Sequence, residues 1–134
     1  MIDLDKLISE LNSKSGIYFD DFFNVKVVRR DSSVIACRNE GRSFALNRFD
    51  IPQEKVRVLK WFDNYWIFLE IRCAYNINEI TKSVENYINI SLCVFQGEDS
   101  DEDKYQLFRA EWDDFCNPNE IHSQPHWHIT SSQA

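Results

Sequence analysis

The sequence predicts an α+β domain in which an antiparallel β-sheet of about five to seven strands carries an N-terminal amphipathic helix on one face. Apolar residues near the start recur at helical spacing, later segments alternate between apolar and polar residues, and short polar runs separate them. The 134 residues are 43% hydrophobic and 14% aromatic. This is enough apolar material for the core of one domain spanning residues 1–134.

The helix is predicted over residues 2–13. Four apolar side chains share one of its faces, namely Leu4, Leu7, Ile8 and Leu11. Asp3 is placed to cap its first turn, and Gly16 is typical of a position just past the end of a helix. The aromatic segment 16–23 that follows is expected to pack this helix onto the sheet.

Strands follow in order along the chain. Segments 24–30 and 34–38 flank a polar turn, and segment 42–48 is a third candidate strand. Segments 55–62 and 65–75 flank Asp63-Asn64, a two-residue connection typical of tight hairpins because Asn tolerates positive φ. This is the first of two predicted hairpins.

The strand predicted over 65–75 has one wholly apolar face, which we expect to lie in the core. Its other face begins with Trp66 and Phe68 and turns polar at Glu70. There are more aromatic residues than one covered face of the sheet can bury. We therefore expect this second face to be covered by a helix or by a partner. Trp66 is therefore a candidate partner-binding residue.

The spacing of Ile80, Val84 and Tyr87 favours a short helix over 78–87, although a strand is also compatible with it. Segments 88–96 and 105–112 alternate again and predict the second hairpin, around the acidic loop 97–103. Asn and Pro residues predict an irregular tail over 117–134.

The charge balance bears on the kind of partner. Lys and Arg total 15 against 22 Asp and Glu, a formal charge of −7. This field repels nucleic-acid phosphates and anionic lipids, so the sequence predicts neither a nucleic-acid nor a membrane partner. The charge either serves solubility or matches a basic protein, and Asp99, Asp101 and Asp103 are the candidate contacts for such a partner.

The four cysteines are spread along the chain without a C-x-x-C pair, which disfavours a zinc ribbon: Cys37, Cys73, Cys93 and Cys116. Most lie in apolar runs, as buried free thiols do. No apolar segment of the secretory type follows Met1, and no stretch approaches the ~20 residues of a membrane span. A cytoplasmic location is expected.

All three histidines, His122, His126 and His128, fall within one short C-terminal segment. In an extended chain His126 and His128 point to the same side, where they could bind a divalent metal together with an acidic residue such as Glu111. Two other interpretations stay open. The segment can be an ordinary edge strand, or it can be a protein-binding patch in which Trp127 is the anchor.

No nucleophile elbow, Walker loop, dinucleotide fingerprint or H-E-x-x-H helix is present. The sequence therefore favours a non-enzymatic, acidic protein-binding module without a cofactor, of the kind found among immunity proteins, antitoxins and accessory subunits. Its partner is expected to be another protein, basic in character, or a second copy of the chain. One alternative is a small metal-dependent enzyme that uses the C-terminal histidines. Another is a sheet domain that binds a small ligand in a cavity lined by the aromatic residues.

Overall fold

The computed structural model describes residues 4–19, 21–50, 52–77, 80–82, 84–113 and 126–129, with side chains excluded at 76, 77, 84–86 and 126–129. Helix α1 (Leu4–Ser15) leads into a short 3₁₀ turn, Gly16–Tyr18. Eight strands follow: β1 (Val25–Arg30), β2 (Val34–Asn39), β3 (Ser43–Asn47), β4 (Glu54–Phe62), β5 (Tyr65–Ile77), β6 (Val84–Gln96), β7 (Tyr105–Asp113) and β8 (His126–Ile129).

The strands form an antiparallel sheet in the order β1-β2-β5-β6-β7-β8, with β4 also paired to β5 and β3 paired to β4. The predicted fold class is confirmed. Both predicted hairpins are present, and Asp63 in the first turn has a φ of 48°. Strand β8 lies within the segment 117–134, for which an irregular tail was expected; the structure describes no other residue of that segment.

Helix α1 packs against the apolar face of the sheet, where Ile67 and Ile71 are buried. Leu4 is buried at its start, and the other residues of its apolar stripe lie against the same cluster. The Asn12 side chain exchanges two hydrogen bonds with the backbone of Val25, at 2.7 and 3.0 Å, and so ties the helix to β1. In the described part of the chain, no helix has the length and apolarity needed to cross a bilayer.

The opposite face of the sheet is covered by the chain itself. The β3–β4 hairpin folds over it and encloses a second buried cluster, made of Ala45, Val56, Val58, Trp66, Phe68, Cys93 and Phe95. Gln106 on β7 fixes the hairpin, since it accepts from Arg48 N–H at 2.7 Å and donates to Asn47 Oδ1 at 3.0 Å. The expectation that a helix or a partner covers this face is therefore corrected.

The helix predicted over 78–87 is wrong. Strand β5 continues to Ile77 and β6 begins at Val84, with unbroken cross-strand pairing from Tyr65 opposite Gln96 to Ile77 opposite Val84. Ile80 is 92% exposed, so the apolar spacing in this segment does not mark a buried helical face. Cross-strand pairing along the whole of β5 outweighs the local helical pattern.

Candidate functional site

Strand β4 changes its pairing partner halfway along, and this opens a groove in the surface. Residues 54–58 pair with β3, whereas pairing with β5 begins only at Leu59. Farther along β5, from Glu70 onward, the neighbour is β2. Between the two neighbours the Leu69 N–H has no strand partner and donates instead to Asn39 Oδ1, at 2.7 Å.

The groove between the first half of β4 and the β1–β2 face encloses about 740 Å³. We call it the cationic groove because five of its lining side chains are basic and two are acidic. The basic residues are Lys26, Arg38, Arg42, Lys55 and Arg57, and the acidic residues are Asp21 and Glu40. The chain as a whole has the opposite charge balance, at −7.

Gly41 lets the chain pass close to β4 at one end of this groove. A Cβ atom at this position would lie 2.1 Å from the Val58 carbonyl oxygen, and that contact involves backbone, which cannot move aside easily. The Gly41 carbonyl in turn accepts a hydrogen bond from Arg57 at 3.1 Å. A residue without a side chain is thus required for the observed path from β2 to β3.

Arg38 is the basic residue of the groove that links neighbouring strands through ion pairs. It donates to both carboxylate oxygens of Glu54, at 2.7 and 3.0 Å, and to Glu70 at 2.6 Å. This bidentate geometry is the strong form of an ion pair. The same contact holds the pKa of Glu54 below its ordinary value, so Glu54 is ionised at neutral pH.

The other four basic side chains of the groove are exposed. Lys26 pairs with Glu40 at 3.2 Å, Arg42 with Asp21 and Asp99, and Lys55 with Glu102 at 3.1 Å. Among the residues that the structure describes, no carboxylate lies within ion-pair distance of Arg57. Exposed pairs of this kind contribute little, about 0 to 1 kcal/mol, so an incoming anionic group can compete for these cations.

Apolar side chains border the groove and contact solvent. Phe22 is 83% exposed and Val28 is 50% exposed, although both line it. The neighbouring Phe23 is 3% exposed and stacks on Phe19, with ring centroids 4.9 Å apart. Within the segment 16–23, Phe19 and Phe23 therefore pack inward as expected, whereas Ile17, Tyr18 and Phe22 are exposed.

A second, polar cleft of about 480 Å³ lies beyond Phe68 on the same face. Its charged groups are engaged with one another: Arg72 pairs with Glu70 at 2.8 Å, and Arg109 pairs with Asp50 at 2.9 Å. Asn89 donates to Glu111 at 3.2 Å. These groups form an internal ion-pair network along the polar half of β5.

The acidic loop 97–103 is held to the β3–β4 hairpin rather than projecting from the surface. Asp99 pairs with Arg42 at 2.8 Å, Asp103 pairs with Arg48, and the Asp101 carboxylate accepts the Glu98 N–H at 2.9 Å. Lys104, only 1% exposed, donates to Ser43 Oγ at 2.7 Å and to loop carbonyls. The three acidic residues are present at the surface, but each has a partner within the chain.

Trp66 is not a surface contact. Its side chain is 1% exposed and its Nε1 donates to the Gly97 carbonyl at 2.9 Å. The Lys104 ammonium lies 4.9 Å from the ring centroid. The prediction that Trp66 binds a partner is corrected, because the β3–β4 hairpin covers the face on which it lies.

The C-terminal candidates stay predictions. His122 lies outside the described residues, and for Trp127 and both other histidines only the backbone is described, in β8. The register places His126 opposite Glu111 and His128 opposite Arg109. Among the described residues, no group of three or more His, Cys, Asp or Glu side chains is arranged to hold a metal ion.

The three described cysteines, Cys37, Cys73 and Cys93, are buried, and none of them forms a disulfide with another described residue. Burial raises the pKa of the Cys37 thiol to about 11 and that of the Cys93 thiol to about 12. Such thiols are protonated at neutral pH and are poor nucleophiles.

Comparison with known proteins places the chain in no group: no family model, no curated protein and no solved structure matches it. The groove itself is therefore the feature from which a function can be inferred. Phe22 and Arg57 are both exposed in the groove, and neither stood out in the sequence. A run of aromatic residues does not show which of them points outward, and alternation alone does not show that β4 leaves the sheet.

Proposed function

We propose that this chain is a non-enzymatic protein-binding module whose partner docks on the cationic groove. The observation that carries the proposal is the exposed apolar border formed by Phe22 and Val28, along a groove next to an edge of β4 that pairs with no other described strand. Aromatic side chains exposed beside a groove are typical anchors of protein interfaces, because burying them against a partner removes apolar surface from water.

The polar groups on this side of the molecule support binding rather than catalysis. Glu54 is kept ionised by Arg38, which suits an ion pair and not a proton donor. The thiols of Cys37 and Cys93 are buried and protonated, and the charged groups of the polar cleft pair with one another. The groove, by contrast, offers exposed cations and apolar side chains that a partner can reach.

Immunity proteins, antitoxins and accessory subunits are the kinds of small protein that act by such docking, and we place this chain among them. We place it in the cytoplasm, which is supported by Cys37 and Cys93, two buried thiols that form no disulfide in the described part of the chain. Free thiols persist where the surroundings are reducing. The partner is a protein, since the exposed apolar side chains beside the groove suit a protein interface.

A photo-crosslinking amino acid at position 22, in the protein expressed in its native cell, tests the proposal. The matched control places the same amino acid at position 80, because Ile80 is 92% exposed and apolar but does not line the groove. We expect a discrete crosslinked protein from position 22 and none from position 80. Absence of a crosslink at 22, or the same product from both positions, would contradict the proposal.

A further inference from the structure

We infer that the occupant of the cationic groove is an extended acidic segment of a partner protein, which adds as a strand to the open edge of β4. The inference rests on the proposed function and specifies the chemistry of the partner. It reverses the sequence-based expectation of a basic partner. Three features of the groove support it: the backbone edge, the charge and the apolar side chains.

The backbone edge comes from the pairing of β4. Residues 54–58 pair with β3 on one side, and on the other side no strand lies against them among the described residues. Lys55, Val56 and Arg57 line the groove, so this edge faces it. An edge of this kind presents N–H and C=O groups that an extended peptide can pair with, as in strand-addition complexes.

The charge of the groove selects an acidic segment. In the described part of the chain, the carboxylates that pair with Lys26, Arg42 and Lys55 are themselves 29% exposed or more, and Arg57 donates to the Gly41 carbonyl. Carboxylates of an incoming segment can replace these surface partners at small cost. The acidic residues of loop 97–103 are the partners being replaced at Arg42 and Lys55, so the loop competes with the ligand.

The apolar side chains fit a segment in which apolar residues alternate with the acidic ones. Phe44 has the Lys55 ammonium and the Arg57 guanidinium each 4.9 Å from its ring centroid. Phe22 and Val28 supply exposed apolar surface on the β1 side of the groove. In an extended peptide, alternate side chains point to opposite faces, so one set can meet the cations and the other the apolar border.

Selection from a displayed library of random short peptides tests the inference without knowledge of the partner. The bait is the full chain, and the variants are Arg57→Glu and, as matched control, Arg29→Glu. Arg29 is also exposed, and it pairs with Asp31 outside the groove. We expect the selected peptides to be rich in Asp and Glu, to bind Arg57→Glu at least about tenfold more weakly, and to bind Arg29→Glu within about twofold of wild type.

Hydrogen exchange on the wild-type protein provides a readout that does not depend on any variant folding. A selected peptide should slow the exchange of backbone amides within residues 54–57, because strand addition covers them. Neutral or basic selected peptides, or protection that falls elsewhere, would overturn the inference. Protection that appears without peptide as the protein concentration rises would identify a second copy as the occupant and would also overturn it.

The two proposals fail separately. If crosslinking through position 22 identifies a partner but the selected peptides are not acidic, the docking site stands and the chemistry inferred for its occupant is wrong. If crosslinking at position 22 also fails, the proposed function falls with it.

Discussion

Arg38 is the residue that joins the parts of this structure. Its guanidinium lies where β2, β4 and β5 meet and holds one carboxylate from β4 and one from β5. Glu70 is 8% exposed, so its charge is stable there only while cationic partners remain. Arg72 also contacts Glu70, at 2.8 Å, but from a more exposed position.

Replacing Arg38 with Ala should lower the free energy of unfolding by about 2 to 4 kcal/mol, because it leaves the buried Glu70 carboxylate with one partner fewer. Arg29→Ala is the control, since both members of the Arg29–Asp31 pair are exposed and its loss should cost about 0.5 kcal/mol or less. Urea unfolding of both variants measures this. Equal losses would show that Arg38 acts as an ordinary surface residue.

For individual residues, the sequence predicted the excess of aromatic side chains better than it predicted which of them would be buried or exposed. The aromatic excess was evident, and Trp66 and Phe68 were correctly found on the face that turns polar at Glu70. Which aromatic residue would be exposed depends on which segment covers that face. The hairpin that covers this face comes from residues 43–62 and packs over β5 and β6. Its position depends on tertiary contacts, which a local sequence pattern does not show.

The strands are the elements that the sequence predicted best. Alternation over many residues locates β5 and β6, and the polar turn at Asp63-Asn64 fixes the hairpin between β4 and β5. The segment 78–87 was predicted wrongly, because three apolar residues at helical spacing are a weaker determinant than pairing with a long neighbouring strand. Short segments next to long strands are the places where such patterns mislead.

Residues along β5 differ in burial, so truncating them should lower the free energy of unfolding by different amounts. Ile71 is 2% exposed at the centre of the helix-facing cluster, whereas Leu69 is only half-buried at its margin. Ile71→Ala should therefore cost about 2 to 5 kcal/mol, and Leu69→Ala about 1 to 2 kcal/mol, since less buried surface is lost. Chemical denaturation of both variants checks the order. A larger loss for Leu69→Ala would contradict the assignment of Ile71 to the core.

The whole molecule should lose stability at acid pH, because carboxylates that form ion pairs or hydrogen bonds in the folded state become protonated. The Arg38 guanidinium holds the pKa of Glu54 below its ordinary value of 4.5, and backbone N–H groups of Ser33 and Val34 lower the pKa of Asp31. A carboxylate whose pKa is lower in the folded state stabilises the protein above its ordinary pKa, and this contribution is lost as pH falls through the folded value.

The free energy of unfolding should therefore fall from about pH 5 downward, and Glu54→Gln should make that fall shallower because one of the linked protons is removed. Urea unfolding at a series of pH values measures the slope. The same slope in wild type and Glu54→Gln would mean that Glu54 does not contribute to acid sensitivity.

The groove is a property of the whole molecule, and for that reason the sequence did not reveal it. Its strands were predicted, but the groove exists because β4 exchanges β5 for β3 at Leu59 and because Gly41 allows close passage beside Val58. Neither the change of pairing partner nor the close passage at Gly41 produces a recognisable pattern in the local sequence. The acidic composition even suggested a basic partner, whereas the acidic loop is paired internally and four exposed cations line the groove.

In the proposed function, the groove bordered by Phe22 is the docking surface. The most direct test is the affinity of the crosslinked partner for wild type, Phe22→Ala and Ile80→Ala, measured by titration calorimetry. Phe22→Ala should weaken binding at least about tenfold, which corresponds to about 1.4 kcal/mol, and Ile80→Ala should leave it within about twofold. Unchanged affinity for Phe22→Ala, or equal losses in both variants, would show that the partner does not dock on this groove.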